Sequence, residues 1–260
     1  MDMENKFNLP ASFETEFEHY YFPKQYKNIL LLSDIHAPYH NIRALTEILD
    51  YGVKKGVDAI LLNGDCMDCY SLSKFNPDPR KRNMQEEFDA FGEILDILGK
   101  IAPVYYKLGN HEERLERILI TKAPFFLGIK EFELENLLRC GERKVTVIKD
   151  QRIIYVGGLP VLHGHEVRLA NVSVNPARSL FLKTKKTAIC GHLHRTSNHN
   201  ETSLDGKLIS TWSTGHLGEG HPEYARINGW NHGGARIEVD DSDNFEVINL
   251  RIQGNKLFRS

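Results

Sequence analysis

Five stretches of this chain pass from a short apolar run straight into a cluster of acidic, amide or imidazole side chains, four of them carrying a glycine. Residues 29–32 lead into Asp34-Ile35-His36, residues 59–62 into Gly64-Asp65, and residues 104–108 into Gly109-Asn110-His111-Glu112. Residues 161–162 lead into His163-Gly164, and residues 187–190 into Gly191-His192-Leu193-His194. Apolar runs of this length, bounded by Gly and polar residues, read as buried strands, with buried helix as the competing reading. In sheets of such strands, ligands collect beyond the carboxyl ends. The five clusters are therefore expected to meet on one rim.

Spacing within the clusters supports that expectation. Asp34 and His36, like His192 and His194, are two residues apart. In extended backbone their side chains would leave on one side, with Ile35 and Leu193 on the other. Gly64, Gly109, Gly164 and Gly191 permit sharp turns and close backbone approach. The donors are carboxylate, amide and imidazole, without thiolate, a mixture that suits Mn²⁺ foremost, with Fe or Zn²⁺ as alternatives, better than Mg²⁺ or Ca²⁺.

Between the clusters the hydrophobic period changes. Ile42, Leu45, Leu49 and Val53 recur at helical intervals, with Gly56 as a stop, and Met84, Phe88, Phe91, Leu95 and Leu98 repeat the pattern. The first half therefore reads as βαβαβ with parallel strands and right-handed crossovers. A further helix is expected after Glu112, with Arg114 and Arg117 on one face. Residues 144–148, 152–156, 208–212, 235–239 and 245–252 read as strands.

The ordered set Asp-x-His, Gly-Asp, Gly-Asn-His-Glu, His and Gly-His-x-His resembles the calcineurin-like metallophosphoesterases, and it spans Asp34 to His194. The resemblance implies an α/β, four-layer αββα sandwich of two mixed sheets flanked by helices. It also implies two divalent metal ions, one held by Asp34, His36, Asp65 and His194, the other by Asp65, Asn110, His163 and His192. Such a pair, about 3.5–4 Å apart, activates a shared water and clamps phosphoryl oxygens for in-line attack. His111, assigned to neither ion, would stabilise charge at phosphorus or protonate the leaving oxygen. Asp68 would accept a hydrogen bond from His111 and fix its tautomer, or else is a helix cap or turn residue. Cys69 stands where the phosphoprotein phosphatase branch has arginine, which sets this chain apart from that branch.

Substrate selection is less legible. Arg80 and Arg82, in the polar loop 71–83, together with Arg114 and Arg195, would contact a second phosphate or a nucleic-acid backbone, or else form a solvated surface. The wording of residues 33–40, 109–115 and 220–224 is most similar to phosphoesterases of phage and prophage genomes, which favours a nucleotide or nucleic-acid phosphoester as partner. The competing functional class is a non-catalytic scaffold that keeps the fold or the metals, and such a chain would be expected to have lost ligands or His111. His165, His216 and His221 receive no primary role. Cys66 and Cys69 form a Cys-x-x-Cys with no second pair to complete a zinc knot.

At 260 residues, 41% hydrophobic and 26% charged, the chain can bury one large core. The expected division is an N-terminal arm over residues 1–25 and one catalytic domain over 26–260. The formal net charge of -2 gives no whole-domain nucleic-acid footprint. No apolar stretch approaches the ~18–20 residues that cross a bilayer. Four cysteines and a start without signal-peptide character lead to the expectation of a cytoplasmic protein.

Overall fold

The computed structural model describes residues 6–14, 17–74, 80, 83–169, 174–222, 225–254 and 256–260. Its strands are β1 (Tyr20–Tyr21), β2 (Asn28–Leu32), β3 (Ala59–Asn63), β4 (Val104–Lys107), β5 (Thr146–Ile148), β6 (Ile154–Val156) and β7 (Leu159–Leu162). They continue with β8 (Ala188–Cys190), β9 (Ser197–Thr202), β10 (Leu208–Ser213), β11 (His232–Val239), β12 (Phe245–Gln253) and β13 (Lys256–Arg259). The helices are α1 (Ile42–Lys54), α2 (Met84–Gly99), α3 (Glu113–Lys122), α4 (Leu134–Leu137) and α5 (Pro176–Thr184).

Two sheets result. One has seven strands in the order β13-β12-β11-β2-β3-β4-β5; the other has six, β1-β6-β7-β8-β10-β9. Strands β2, β3, β4 and β5 run parallel, and β11 closes antiparallel on β2. The all-apolar run of β2 follows from burial on both faces. Leu30 and Leu32 pack with Leu45, Ile48, Phe91 and Leu95 under the helices, whereas Ile29 and Leu31 join Val156, Val161 and Ile189 of the other sheet. On the far side of the six-stranded sheet, Leu162, Ala188 and Cys190 pack against Leu180 of α5. The layers are thus helices, sheet, sheet, helix.

Asparagine side chains start three of the helices by accepting a first-turn N–H: Asn41 from Ala44, Asn83 from Gln85 and Asn175 from Arg178. The expected face of α1 is corrected in detail. Ile42 and Val53 are exposed, and the buried positions are Ala44, Leu45, Ile48 and Gly52. Helix and sheet meet at Gly52, where a Cβ would lie 2.9 Å from Leu30 Cδ2. The end of the N-terminal arm belongs to the fold: Tyr20 and Tyr21 pair in parallel with Ile154 and Tyr155, and Phe22 is buried between the sheets.

Strand β9, of sequence SNHNET, carries no apolar signal. It forms because β10 presents a complete antiparallel edge to it, from Leu208↔Thr202 to Ser213↔Ser197. Among the described residues no helix is long and apolar enough to cross a membrane.

Candidate metal centre

The loops after β2, β3 and β4 bring Asp34, His36, Asp65 and Asn110 from one sheet, and those after β7 and β8 bring His163, His192 and His194 from the other. The backbone there is not extended. Asp34, His36, Asp65, His192 and His194 adopt φ of 57°, 53°, 50°, 65° and 56°. The extended backbone expected for Asp34 to His36 and for His192 to His194 is therefore corrected, since each of these side chains is aimed by a left-handed residue; Asp34 and His36 nevertheless reach one cluster, whereas His192 and His194 reach different ones. Such conformations cost on the order of 1–3 kcal/mol each and persist where the surroundings over-determine them. Here the first two loops bind each other, with Asp34 N–H on Gly64 O, His36 N–H on Asp65 O and Ala37 N–H on Cys66 O. Close approach needs glycine: a Cβ on Gly109 would lie 2.3 Å from Asp65 Oδ1, and one on Gly191 2.0 Å from Ser33 Oγ.

Asp34, His36 and His194 form one cluster. His194 Nε2 lies 3.1 Å from Asp34 Oδ1 and 3.3 Å from His36 Nε2. His36 Nδ1 donates to Asp68 Oδ1 at 3.1 Å, which leaves its Nε2 as a lone pair directed at His194. Burial opposes ionisation of Asp34, but His194 outweighs it and holds the carboxyl well below its usual range. Burial also lowers the His194 pKa despite Asp34.

Asp65, His163 and His192 form the second cluster. His163 Nδ1 donates to the Asn63 carbonyl at 2.7 Å, so in the neutral ring Nε2 is a lone pair, 3.2 Å from Asp65 Oδ2. His192 Nδ1 is 3.9 Å from the same oxygen. Two acceptors facing each other in a buried site require a cation between them, a proton or a metal ion. Burial opposes charge on His163, yet the Asp65 carboxylate overcomes it and pushes the pKa up to about 10. Among the described residues Asn110 Oδ1 and His192 Nδ1 are buried without hydrogen-bond partners, and His163 Nε2 faces the Asp65 carboxylate. Carboxylate, amide and imidazole atoms left in this state fit divalent-ion ligands. The two clusters adjoin Asp65, whose pKa is lowered against its burial by His111 and His163.

His111 stands over both clusters. Its Nδ1 donates to the Asp68 carbonyl at 2.7 Å and lies 3.3 Å from Asp68 Oδ1, its backbone N–H donates to Asp65 Oδ1, and its Nε2 is 3.7 Å from Asp65 Oδ2. The Asp68 carboxylate thus touches both His36 and His111, and these two imidazoles outweigh burial in keeping it ionised.

Several groups around the centre were assigned no role by the sequence. Glu112 is buried and accepts from three backbone N–H groups, those of Asp65, Met67 and Gly109, at 3.0, 2.9 and 2.8 Å. Glu166 accepts from His163 and Gly164, and Asn63 Nδ2 donates to Leu162 O between the sheets. His216, buried and held neutral with a pKa of about 2 by burial and by His194 and His232, stacks on His194 at 5.0 Å and on His232 at 4.8 Å. Trp230 sets its ring 4.2 Å from that of His194. A glutamate two or three residues past a ligand is the signal that would have found Glu112 and Glu166; the ring stack has none.

The described members of the expected substrate-contact set have different partners. Arg114 Nη1 donates to Asp68 O and Cys69 O, so it holds the loop beneath His111. Arg195 reaches Val174 O, Arg80 is exposed, and Arg82 lies outside the described residues. His165 is bound by Glu113 at 3.2 Å and His221 by the Arg226 carbonyl at 3.0 Å. Cys66 and Cys69 are buried free thiols whose pKa values burial pushes well up, so neither offers a thiolate.

A family model described as calcineurin-like phosphoesterase matches residues 27–199. The Gene 54 proteins of Mycobacterium phage L5 and Mycobacterium phage D29 are 26% and 27% identical over 178 and 183 residues, covering 65% of this chain and 69% of each relative. Among solved structures, a single mutant of Vps29 from Entamoeba histolytica aligns with a TM-score of 0.48 at 14% identity, covering 90% of this chain and 97% of that one. A metallophosphoesterase from Sphaerobacter thermophilus aligns at 0.45 with 19% identity, covering 87% and 88%.

Proposed function

The chain belongs to the calcineurin-like phosphoesterase family, and from that premise we propose that it hydrolyses a phosphoester using two divalent ions. Asp34, His36, Asp65 and His194 would hold one ion, and Asp65, Asn110, His163 and His192 the other. The observation that carries this reading is the pair of buried atoms without a partner among the described residues, Asn110 Oδ1 and His192 Nδ1, beside a His163 Nε2 that is turned to the Asp65 carboxylate. Manganese suits the donors best, with iron and zinc as alternatives. When bound, the ions supply Lewis acidity toward the phosphoryl group and an activated water for in-line attack.

The chain's own residues supply the rest. His111 is the acid: with Nδ1–H committed to Asp68, the protonated ring has one N–H left, at Nε2, to give to the leaving oxygen as the P–O bond breaks. Asp68 orients the ring through that hydrogen bond at Nδ1. Arg114 fixes the carbonyl against which His111 is aligned.

We further propose a nucleotide or nucleic-acid phosphoester as substrate, with Arg195 and Arg80 contacting phosphate beyond the scissile group. The likeness to phage proteins and the position of Arg195 directly after His194 support this.

Purified protein loaded with Mn²⁺ tests the reading against an aryl monoester, an aryl diester, a cyclic nucleotide, and single- and double-stranded DNA. Turnover of any of them, abolished by chelation, is the expected result. Two bound ions without turnover in any divalent metal would make the chain a scaffold. Arg80→Glu and Arg195→Glu should raise KM on nucleic acid with kcat retained; unchanged kinetics on every diester would remove the arginine contacts.

A further inference from the structure

Lysine is rarely buried, yet Lys107 at the end of β4 is wholly enclosed. Its Nζ lies 2.9 Å from Glu166 Oε1 and donates to the Arg152 carbonyl. Glu166 is nearly as enclosed, and its two oxygens take the backbone N–H groups of His163 at 3.0 Å and Gly164 at 2.6 Å. Gly164 sits at φ 130°, so the turn after His163 is one that its carboxylate clamp holds in place. Around the pair, His165 Nδ1 is 3.7 Å from Glu166 Oε2, and Glu113 binds the far nitrogen of His165.

The pair joins two sheets. Lys107 stands on the seven-stranded sheet, three residues before Asn110, and Glu166 follows β7 of the six-stranded sheet, three residues after His163. Burying a lysine and a carboxylate gives little net stability compared with an apolar pair of the same volume. What an ion pair supplies instead is a fixed distance. Side chains that orient metal ligands in this way typically change metal affinity by about 10–100-fold when removed.

We propose that Lys107 and Glu166 form a strap that sets the separation between the Asn110 loop and the His163 loop, and thereby the affinity of the second ion alone. They are positioning residues, and the inference rests on the reading of Asn110 and His163 as ligands of that ion.

Calorimetric titration of the full chain with Mn²⁺, alongside the electron paramagnetic resonance of the bound manganese, tests it. Lys107→Met and Glu166→Gln should each weaken one of two binding events by about 10–100-fold and leave the other within error. At two equivalents of metal, the spin-coupled pair signal should give way to an isolated Mn²⁺ signal. The double variant Lys107→Met/Glu166→Gln, which removes both charges and keeps a side-chain oxygen for the backbone N–H groups, should weaken the same event no further than the single variants do. His163→Ala should lose that event altogether. Val57→Ala, which loosens the core before the start of β3, at the opposite end of that strand from the Asp65 loop, should lower the melting temperature and leave both events intact. The strap is overturned if the Lys107 and Glu166 variants bind both ions like the parent while His163→Ala loses one, or if Val57→Ala weakens the second ion equally. Two undiminished events in His163→Ala would overturn the ligand reading itself.

Discussion

The two candidate metal clusters are supported by different physics. Around Asp34, His36 and His194 the neighbours are largely rings: His216 and Trp230 pack on His194, and Asp34 Oδ2 accepts from Ser33 Oγ at 2.6 Å and from a single backbone N–H, that of His192, at 2.9 Å. Around Asp65, His163 and His192 the supports are buried carboxylates that grip backbone, Glu112 on three N–H groups and Glu166 on two. A ring stack restrains one side chain by packing. A carboxylate clamp fixes the course of a whole loop, and it leaves several buried donors unsatisfied if lost.

The largest effect we expect falls on the residue that belongs to neither cluster. His111→Ala should keep both ions and lose about 10²–10⁴-fold in kcat, the usual contribution of a positioned acid. Loss of an ion in that variant, read by metal analysis, would place His111 inside a cluster and dissolve the division drawn here.

Glu112→Ala comes next. With three buried N–H groups deprived of their acceptor, it should destabilise the fold by about 3 kcal/mol or more in denaturant unfolding. A value below about 1 kcal/mol would show that water replaces the clamp and that the contrast with the ring side is overstated.

Acid dependence gives a comparable figure. Burial opposes charge on Glu166, but Lys107, His165 and His163 bring its pKa down to about 2 from an ordinary 4.5. A depressed carboxyl contributes stability that is complete above the unfolded value and is lost as pH falls from 4.5 through about 2. A shift of that size corresponds to about 3 kcal/mol over that window. Glu166→Gln should flatten the acid limb of the stability curve there, and an unaltered limb would remove the clamp from the account.

The smallest effect belongs to the ring side. His216→Phe preserves shape and stacking, so stability should move by less than about 1 kcal/mol and the first ion should bind as before. A tenfold loss of that ion would mean that His194 depends on the imidazole nitrogens of His216, and the two clusters would then be supported alike.

Much of this molecule can be read from its residues. The apolar runs before each motif are strands β2, β3, β4, β7 and β8 because strands covered on both faces read as near-continuous apolar runs. The periodic segments are helices α1 and α2 for the corresponding reason. Elements governed by distant partners were not legible. Strand β9 has six polar residues and exists through its pairing with β10, and the buried face of α1 turns toward Gly52 because of Leu30. At the centre, the motif names Asp34, His36, Asp65, Asn110, His163, His192 and His194 as ligand candidates, but the extended geometry inferred for them was wrong. Loop-to-loop hydrogen bonds impose left-handed backbone that no local propensity favours.

By itself, then, the sequence determined the chemical kinds of donor, their order along the chain and the apolar strands that end at them, since residue type and hydrophobic period are local properties. Tertiary structure alone decided that donors from two sheets converge at Asp65, that Glu112, Glu166 and Lys107 hold the loops in place, and that His216 stacks on His194. Those outcomes depend on which buried groups meet across the fold, where each polar atom withdrawn from water must find its partner among residues remote in the chain.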